Sequence, residues 1–273
     1  MKIKCYKYHG AGNDFVIADN RDGSISLNQA QIRHICDRRF GIGADGFMLL
    51  NKSEEKSFSM VYFNSDGFEG SMCGNGGRCI TAFADKCGIS DFEFSATDGP
   101  HSASILNREG KVTTVSLKMK DVSDVTIYPD NKMFINTGSP HLIIFPDNFD
   151  DTDVDKEGRY WRHHSSFPEG TNVNFVKIEK GKLFVRTFER GVEAETLACG
   201  TGVTASVLAF ETLSRNNFFK GDIIKVDSNG AYSTDVDVLG GHLNVKFRKV
   251  QSGFEDIWLT GPAQFVFECN FEL

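Results

Sequence analysis

The chain has 273 residues, 40% hydrophobic and 25% charged, which is enough for two domains of roughly 100–150 residues, each with a core of its own. A net charge of -7 and a pI near 5.5 exclude the concentrated basic face that a nucleic-acid partner requires. No run approaches the ~20 apolar residues of a membrane-spanning helix, and the first residues lack the apolar core of a secretory signal, so no membrane partner is expected.

In chain order, the predicted elements are mostly short strands with a few helices among them. Asp14–Asp19 reads as a strand, and Asn28–Arg39 as a helix capped by Asn28 with Ile32, Ile35 and Cys36 on one face. A strand at Phe58–Asn64 precedes a helix at Gly76–Cys87 that groups Cys79, Ile80, Phe83 and Ala84 and stops at Gly88. A strand at Lys111–Leu117 and a weaker, polar helix at Val154–His164 come next. Leu183–Phe188 is again strand-like, Thr201–Leu213 is helical with Val203, Val207, Phe210 and Leu213 aligned, and His242–Phe247 is a further strand. The 24 phenylalanines are scattered along the strand-like runs and read as core filling.

The seven cysteines include no CxxC pair and no Cys/His spacing suited to zinc, so no metal is expected. Most read as buried thiols of a reducing cytoplasm. Two need more. Cys73-Gly74-Asn75-Gly76 and Cys199-Gly200-Thr201-Gly202 each stand between strands and an apolar helix, one per half, which points to an internal duplication. A boundary near Val125–Asn131 would separate residues 1–128 from 129–263.

A thiol just ahead of a helix faces unpaired backbone N–H groups and the positive end of the helix dipole, and both favour thiolate. The flanking glycines let N–H groups approach a carboxylate closely. Each motif therefore offers a base beside an anion cradle. Two such motifs could remove a proton from one face of an α-carbon and return one to the other. Thiol acid–base catalysis supplies only about 10²–10⁴-fold, so N–H groups aimed at the substrate carboxylate would have to add to it. No lysine lies in a motif that suggests a pyridoxal Schiff base, and no cofactor is expected. A lone Cys-Gly-X-Gly is more often a tight turn around a buried thiol; the paired context favours the catalytic reading. A redox-responsive or ligand-binding protein with a Cys73–Cys199 disulfide, and an isomerase using carboxylates, stay open at this level.

The chain resembles the diaminopimelate epimerase family over nearly its whole length. The resemblance is carried by His9-Gly10-Ala11-Gly12-Asn13-Asp14-Phe15, Arg39-Phe40-Gly41-Ile42-Gly43-Ala44-Asp45-Gly46, Phe63-Asn64-Ser65-Asp66-Gly67 and Met72-Cys73-Gly74-Asn75-Gly76-Gly77-Arg78. It continues through Gly138-Ser139-Pro140-His141, Phe167-Pro168-Glu169-Gly170-Thr171-Asn172, Glu189-Arg190-Gly191, Ala198-Cys199-Gly200-Thr201-Gly202 and Gly261-Pro262-Ala263. It implies an α/β fold of two pseudo-symmetric domains, each a curled, mostly antiparallel sheet around a central helix, with the strand 264–273 returning to the first domain. It implies cofactor-independent interconversion of LL- and meso-2,6-diaminopimelate, a small-molecule substrate, and a homodimer with Gln264–Phe271 near its interface.

By position, Cys73 and Cys199 correspond to the family's acid–base pair, and Gly74, Asn75, Gly200 and Thr201 to its carboxylate cradle. Asn13, Asn64, Asn172, Glu189 and Arg190 match substrate-binding positions, and His141 and Glu189 match residues that tune the thiols or hold the substrate ammonium. Three features depart from relatives: Gly46 stands where some carry Gln, Ser139 where Asn is common, and the 189–199 loop reads one residue longer. Proline and hydroxyproline racemases are the nearest rivals, but they usually carry His where Asn75 stands, and proline offers no second anion to Arg190.

Overall fold

The computed structural model describes residues 1–214 and 223–273. The chain divides into two compact units, one of Met1–Leu117 with Gly261–Leu273, the other of Lys118–Thr260.

The first unit contains β1 (Lys2–Gly10), β2 (Asn13–Asp19), α1 (Gln29–Cys36), β3 (Gly46–Asn51), β4 (Phe58–Asn64), β5 (Glu69–Gly70), α2 (Gly74–Lys86), β6 (Glu93–Ala96), β7 (Gly99–Glu109) and β8 (Val112–Lys118). Residues 261–272 of the chain's last strand pair with both β1 and β8. The ladder runs from that strand through β1, β2, β3, β4, β6, β7 and β8 and back to it, so the sheet closes on itself, with the short β5 paired only onto the end of β4. Inside lies α2, packed against β1, β2, β3 and β7, with Gly74–Ala84 buried throughout. A helix enclosed on all sides needs small and apolar residues round its whole circumference, and Gly77, Ala82, Phe83 and Ala84 supply them. Outside, α1 starts at Asn28 in a capping box with Gln31 and buries Ile32, Ile35 and Cys36.

The second unit contains β9 (Val125–Tyr128), β10 (Lys132–Asn136), β11 (Pro140–Ile144), α3 (Val154–Arg162), β12 (Asn172–Glu179), β13 (Lys182–Glu189), β14 (Ala194–Thr196), α4 (Gly200–Ser214), β15 (Lys225–Val226), β16 (Tyr232–Val238), β17 (Gly241–Val250) and β18 (Gly253–Glu272), whose first residues belong here. From β9 through β10, β11, β12, β13, β16, β17 and β18, successive pairings are antiparallel twice, parallel, antiparallel, parallel, then antiparallel twice. The first unit shows the same succession from its C-terminal strand to β8. Both units therefore share one topology, as a duplication requires, and α4 is the counterpart of α2. It packs against β10, β11, β12, β13 and β17 and is buried on nearly every face.

In the second unit, the boundary and one loop differ from the sequence reading. β9 pairs with β10, so the second unit begins at Lys118 rather than after residue 128. The segment read as a 189–199 loop folds back as a hairpin, with β14 paired onto the end of β13.

Candidate active site

In the first unit the site is built at the N-terminus of α2. Cys73 is itself the N-cap, in extended conformation, and its Sγ accepts the Gly76 N–H at 3.2 Å. A methyl group on Gly76 would lie 3.2 Å from that sulfur, tighter than an ordinary contact, so glycine here keeps the thiol close to the helix end. On its other side the sulfur meets Asn13 Oδ1 at 3.9 Å. Asn13 is aimed there by a two-residue turn, with Ala11 (φ 51°) and Gly12 (φ 88°) both left-handed, the geometry that joins twisted antiparallel strands.

The Asn13 amide is oriented from both ends. Its Nδ2 donates to Asp45 Oδ2 at 2.7 Å, and its Oδ1 accepts from Asn75 Nδ2 at 3.3 Å. Asn75 Oδ1 in turn accepts from Arg78 at 2.7 Å. Next to Asn13, burial raises the Asp14 carboxyl, but hydrogen bonds from Arg38 and Lys7 outweigh it and hold the group well below the usual carboxylate range. Cys73, Gly74, Asn75 and Asn13 are thus brought together. Asn64 stands at the end of β4, exposed, with its backbone closing the turn to Phe68.

In the second unit the counterpart centres on the N-terminus of α4. Cys199 is 8% exposed, and its Sγ lies 3.5 Å from Thr201 Oγ1. That hydroxyl is 2.9 Å from His141 Nε2 and 3.1 Å from Ser139 Oγ, and Ser139 Oγ is itself 2.9 Å from the same ring nitrogen. Asn174 donates to His141 Nδ1 at 3.0 Å and accepts from Thr187 at 2.9 Å, so Nε2 carries the imidazole proton. Burial, with Arg190 adding to it, pushes His141 down to about 3, so the ring is neutral. The Thr201 hydroxyl, within reach of both His141 Nε2 and Cys199 Sγ, links the neutral ring to the thiol. Gly202 lies against this group: a Cβ there would collide with Asn174 Oδ1 and come within 3.2 Å of the His141 ring.

Asn172 is buried, donates to the Pro140 carbonyl at 2.9 Å and accepts the Arg190 N–H at 2.8 Å, so it fixes the start of the 190 turn. The Arg190 guanidinium donates to the Glu169 carbonyl at 3.2 Å. Glu189 accepts from Thr196 at 3.0 Å, which ties it to the strand leading to Cys199. Ser139, a departure from relatives, is integrated here. Gly46 is also explained, because a side chain there would collide with Tyr62 and come within 2.7 Å of the Phe63 carbonyl.

Cys5, Cys36, Cys79, Cys87 and Cys269 are free thiols. Burial pushes Cys5 and Cys36 up to about 12, Cys87 up to about 11, and Cys79 upward as well, leaving these four poor nucleophiles. Among the described residues no His, Cys, Asp and Glu group is placed to hold a metal ion, and no helix is long and apolar enough to cross a membrane. Sequence reasoning passed over Arg78, Asp45, Asn174 and the Ser139 hydroxyl. All but Asn174 stand in the quoted motifs, which was the only signal available for them.

The diaminopimelate epimerase family model matches residues 5–122 and 133–266. A diaminopimelate epimerase of Flavobacterium psychrophilum is 45% identical over 98% of this chain and 100% of its own length. The chain belongs to the diaminopimelate epimerase family. With that family it falls in the racemase/epimerase class of isomerases. A second member, from Chlorobaculum tepidum, is 41% identical over 97% of this chain and 99% of its own. Among solved structures, a Bacillus anthracis phenazine biosynthesis protein of the PhzF family superposes with a TM-score of 0.76 over the full length of both chains at 14% identity. A hydroxyproline epimerase from Agrobacterium vitis superposes with a TM-score of 0.64, covering 99% of this chain and 91% of its own, also at 14% identity. These two likenesses establish the fold shared with the diaminopimelate epimerase family and nothing finer.

Proposed function

We propose that this protein interconverts LL- and meso-2,6-diaminopimelate without a cofactor, in lysine and peptidoglycan precursor synthesis in the cytoplasm, with Cys73 and Cys199 as the two bases. One thiolate takes the α-proton from one face of the substrate carbon, and the opposite thiol returns its own proton to the other face. After turnover the two sulfurs have exchanged protonation states, and the reverse reaction restores them.

The observation that carries this reading is the setting of Cys73. Its sulfur has a donor on one side, the Gly76 N–H, and an acceptor on the other, Asn13 Oδ1. Thiolate and thiol each find a partner there, as a group that must alternate between them requires. Cys199 stands at the equivalent place before α4, beside a hydroxyl that can donate to thiolate or accept from thiol. Because His141 Nε2–H can donate to Thr201 Oγ1, the hydroxyl proton is available to the sulfur. The backbone N–H groups opening α2 and α4 then bind the reacting carboxylate and stabilise negative charge as the proton leaves. Arg190 offers a planar fork to the distal carboxylate.

The test supplies reduced protein with LL-diaminopimelate, meso-diaminopimelate or L-proline and follows stereochemistry, beside Cys73→Ala and Cys199→Ala. Inversion of diaminopimelate alone, lost in both variants, is expected. Inversion of proline, or full activity in either variant, would reject the assignment.

A further inference from the structure

Arg78 lies one turn into α2 and is completely buried, yet among the described residues it has no carboxylate partner. Its guanidinium donates to the Gly74 carbonyl at 3.2 Å and to Asn75 Oδ1 at 2.7 Å, and its Nε has no partner. A cation near the N-terminus of a helix works against the helix dipole. A charge shut away from water without a counter-ion is costly as well. Both penalties fall if an anion sits at the start of α2, which is where the Cys73 sulfur and the carboxylate cradle are.

We propose that Arg78 is the positioning residue of the Cys73 half-site: it holds the first turn of α2 and the Asn75 amide, and its fixed positive charge biases Cys73 towards thiolate. This rests on the reading of Cys73 as a proton-transfer base. Other charged groups near this point are already matched, including Asp98, which accepts the Met72 N–H and faces His101. On α2, Cys79 is held neutral by burial. Asp14 on β2 has its charge matched by Lys7 on β1 and by Arg38, and Asp45 is engaged by Asn13 and Arg38. In the second unit the cation that acts on His141, Arg190, belongs to a turn and donates to the Glu169 carbonyl, and α4 itself has no counterpart of Arg78. Two residues past Gly202, where α2 carries Arg78, α4 carries Thr204, buried and bonded to the Gly200 carbonyl. The charge therefore distinguishes the two thiols, with Cys73 the resting thiolate.

The experiment measures iodoacetamide alkylation of Cys73 and Cys199 separately, by peptide mapping of the full chain, from about pH 5.5 to about pH 9.5. Wild type, Arg78→Met, Arg78→Gln and Arg78→Lys are compared after circular dichroism confirms folding. Met and Gln are expected to raise the Cys73 midpoint by about one pH unit, roughly tenfold slower alkylation at neutral pH, with the Cys199 curve unmoved. Lys keeps the charge and the midpoint but cannot hold Asn75 Oδ1 and the Gly74 carbonyl together, so KM rises. A folded Met or Gln variant whose Cys73 curve overlays wild type would overturn the proposal. A wild-type Cys73 midpoint at or above the free-thiol value of about 8.5 would overturn it too, and that reading needs no variant to fold. Alkylation requires no turnover, so loss of the two-base reading through an active Cys73→Ala enzyme would be seen separately.

Discussion

Acidification should weaken the second unit through His141, and His141→Gln should remove that sensitivity. The ring is fully buried and its pKa falls from an ordinary 6.5 to about 3. The unfolded chain binds the proton below 6.5 while the folded one does not, so this contribution is complete above 6.5 and is lost progressively as pH falls towards 3. Between about pH 7.5 and about pH 4.5 the difference reaches roughly two pK units, or roughly 2–3 kcal/mol at 1.36 per unit. The assay is available in the chain itself, because both tryptophans, Trp161 and Trp258, lie in the second unit. Urea unfolding followed by tryptophan fluorescence therefore reports that unit. His141→Gln keeps a donor for Thr201 and has no titration. Its stability should start lower at neutral pH, then fall by roughly 2–3 kcal/mol less than wild type over the same interval. A variant that weakens as steeply as wild type would refute the neutral, buried imidazole and the Asn174–His141–Thr201 chain built on it.

Gly202→Ala drives a methyl group into Asn174, so it should cost the second unit about 1–3 kcal/mol by tryptophan-monitored urea unfolding; an unchanged midpoint would contradict the packing around His141. Gly76→Ala should behave differently: alanine is the better helix former by about 1 kcal/mol, so overall stability holds, while crowding of the Cys73 sulfur lowers kcat/KM at least about tenfold. Wild-type kcat/KM in that variant would speak against the Gly76 contact. Gly46→Gln should lower the thermal midpoint by several degrees, about 1–3 kcal/mol of overpacking against Tyr62, and a midpoint equal to wild type would show that Tyr62 yields freely.

The elements that could be read from the sequence are those whose own residues decide them. Phe58–Asn64 is β4 as expected, because alternate residues face the core and Asn64 ends the run at a turn. Asn28 caps α1 through its own side chain. The α1 end came earlier than expected, at Cys36, because Asp37 leaves the helical conformation and bonds the Arg39 and Phe40 N–H groups instead. The start of α2 came two residues earlier, at Gly74, because a cysteine rather than a usual cap residue closes it. In the site, the paired Cys-Gly-X-Gly motifs were visible because the chemistry lies in adjacent residues. Arg78 was not, since an arginine in a helix reads as a solvated surface group until the enclosing sheet is known. Asn174 matters only through the pairing of β11 with β12 that brings it to His141, and register of that range is not written locally in the sequence.

The central claim is that two different sulfurs serve the two faces of one carbon, and deuterium at early turnover tests it most directly. In D₂O, with LL-diaminopimelate as substrate, the account predicts that the first meso product carries solvent deuterium at the inverted carbon while recovered LL substrate carries none. Recovered substrate that gains deuterium as fast as product forms would mean that a single base handles both faces, and would contradict it.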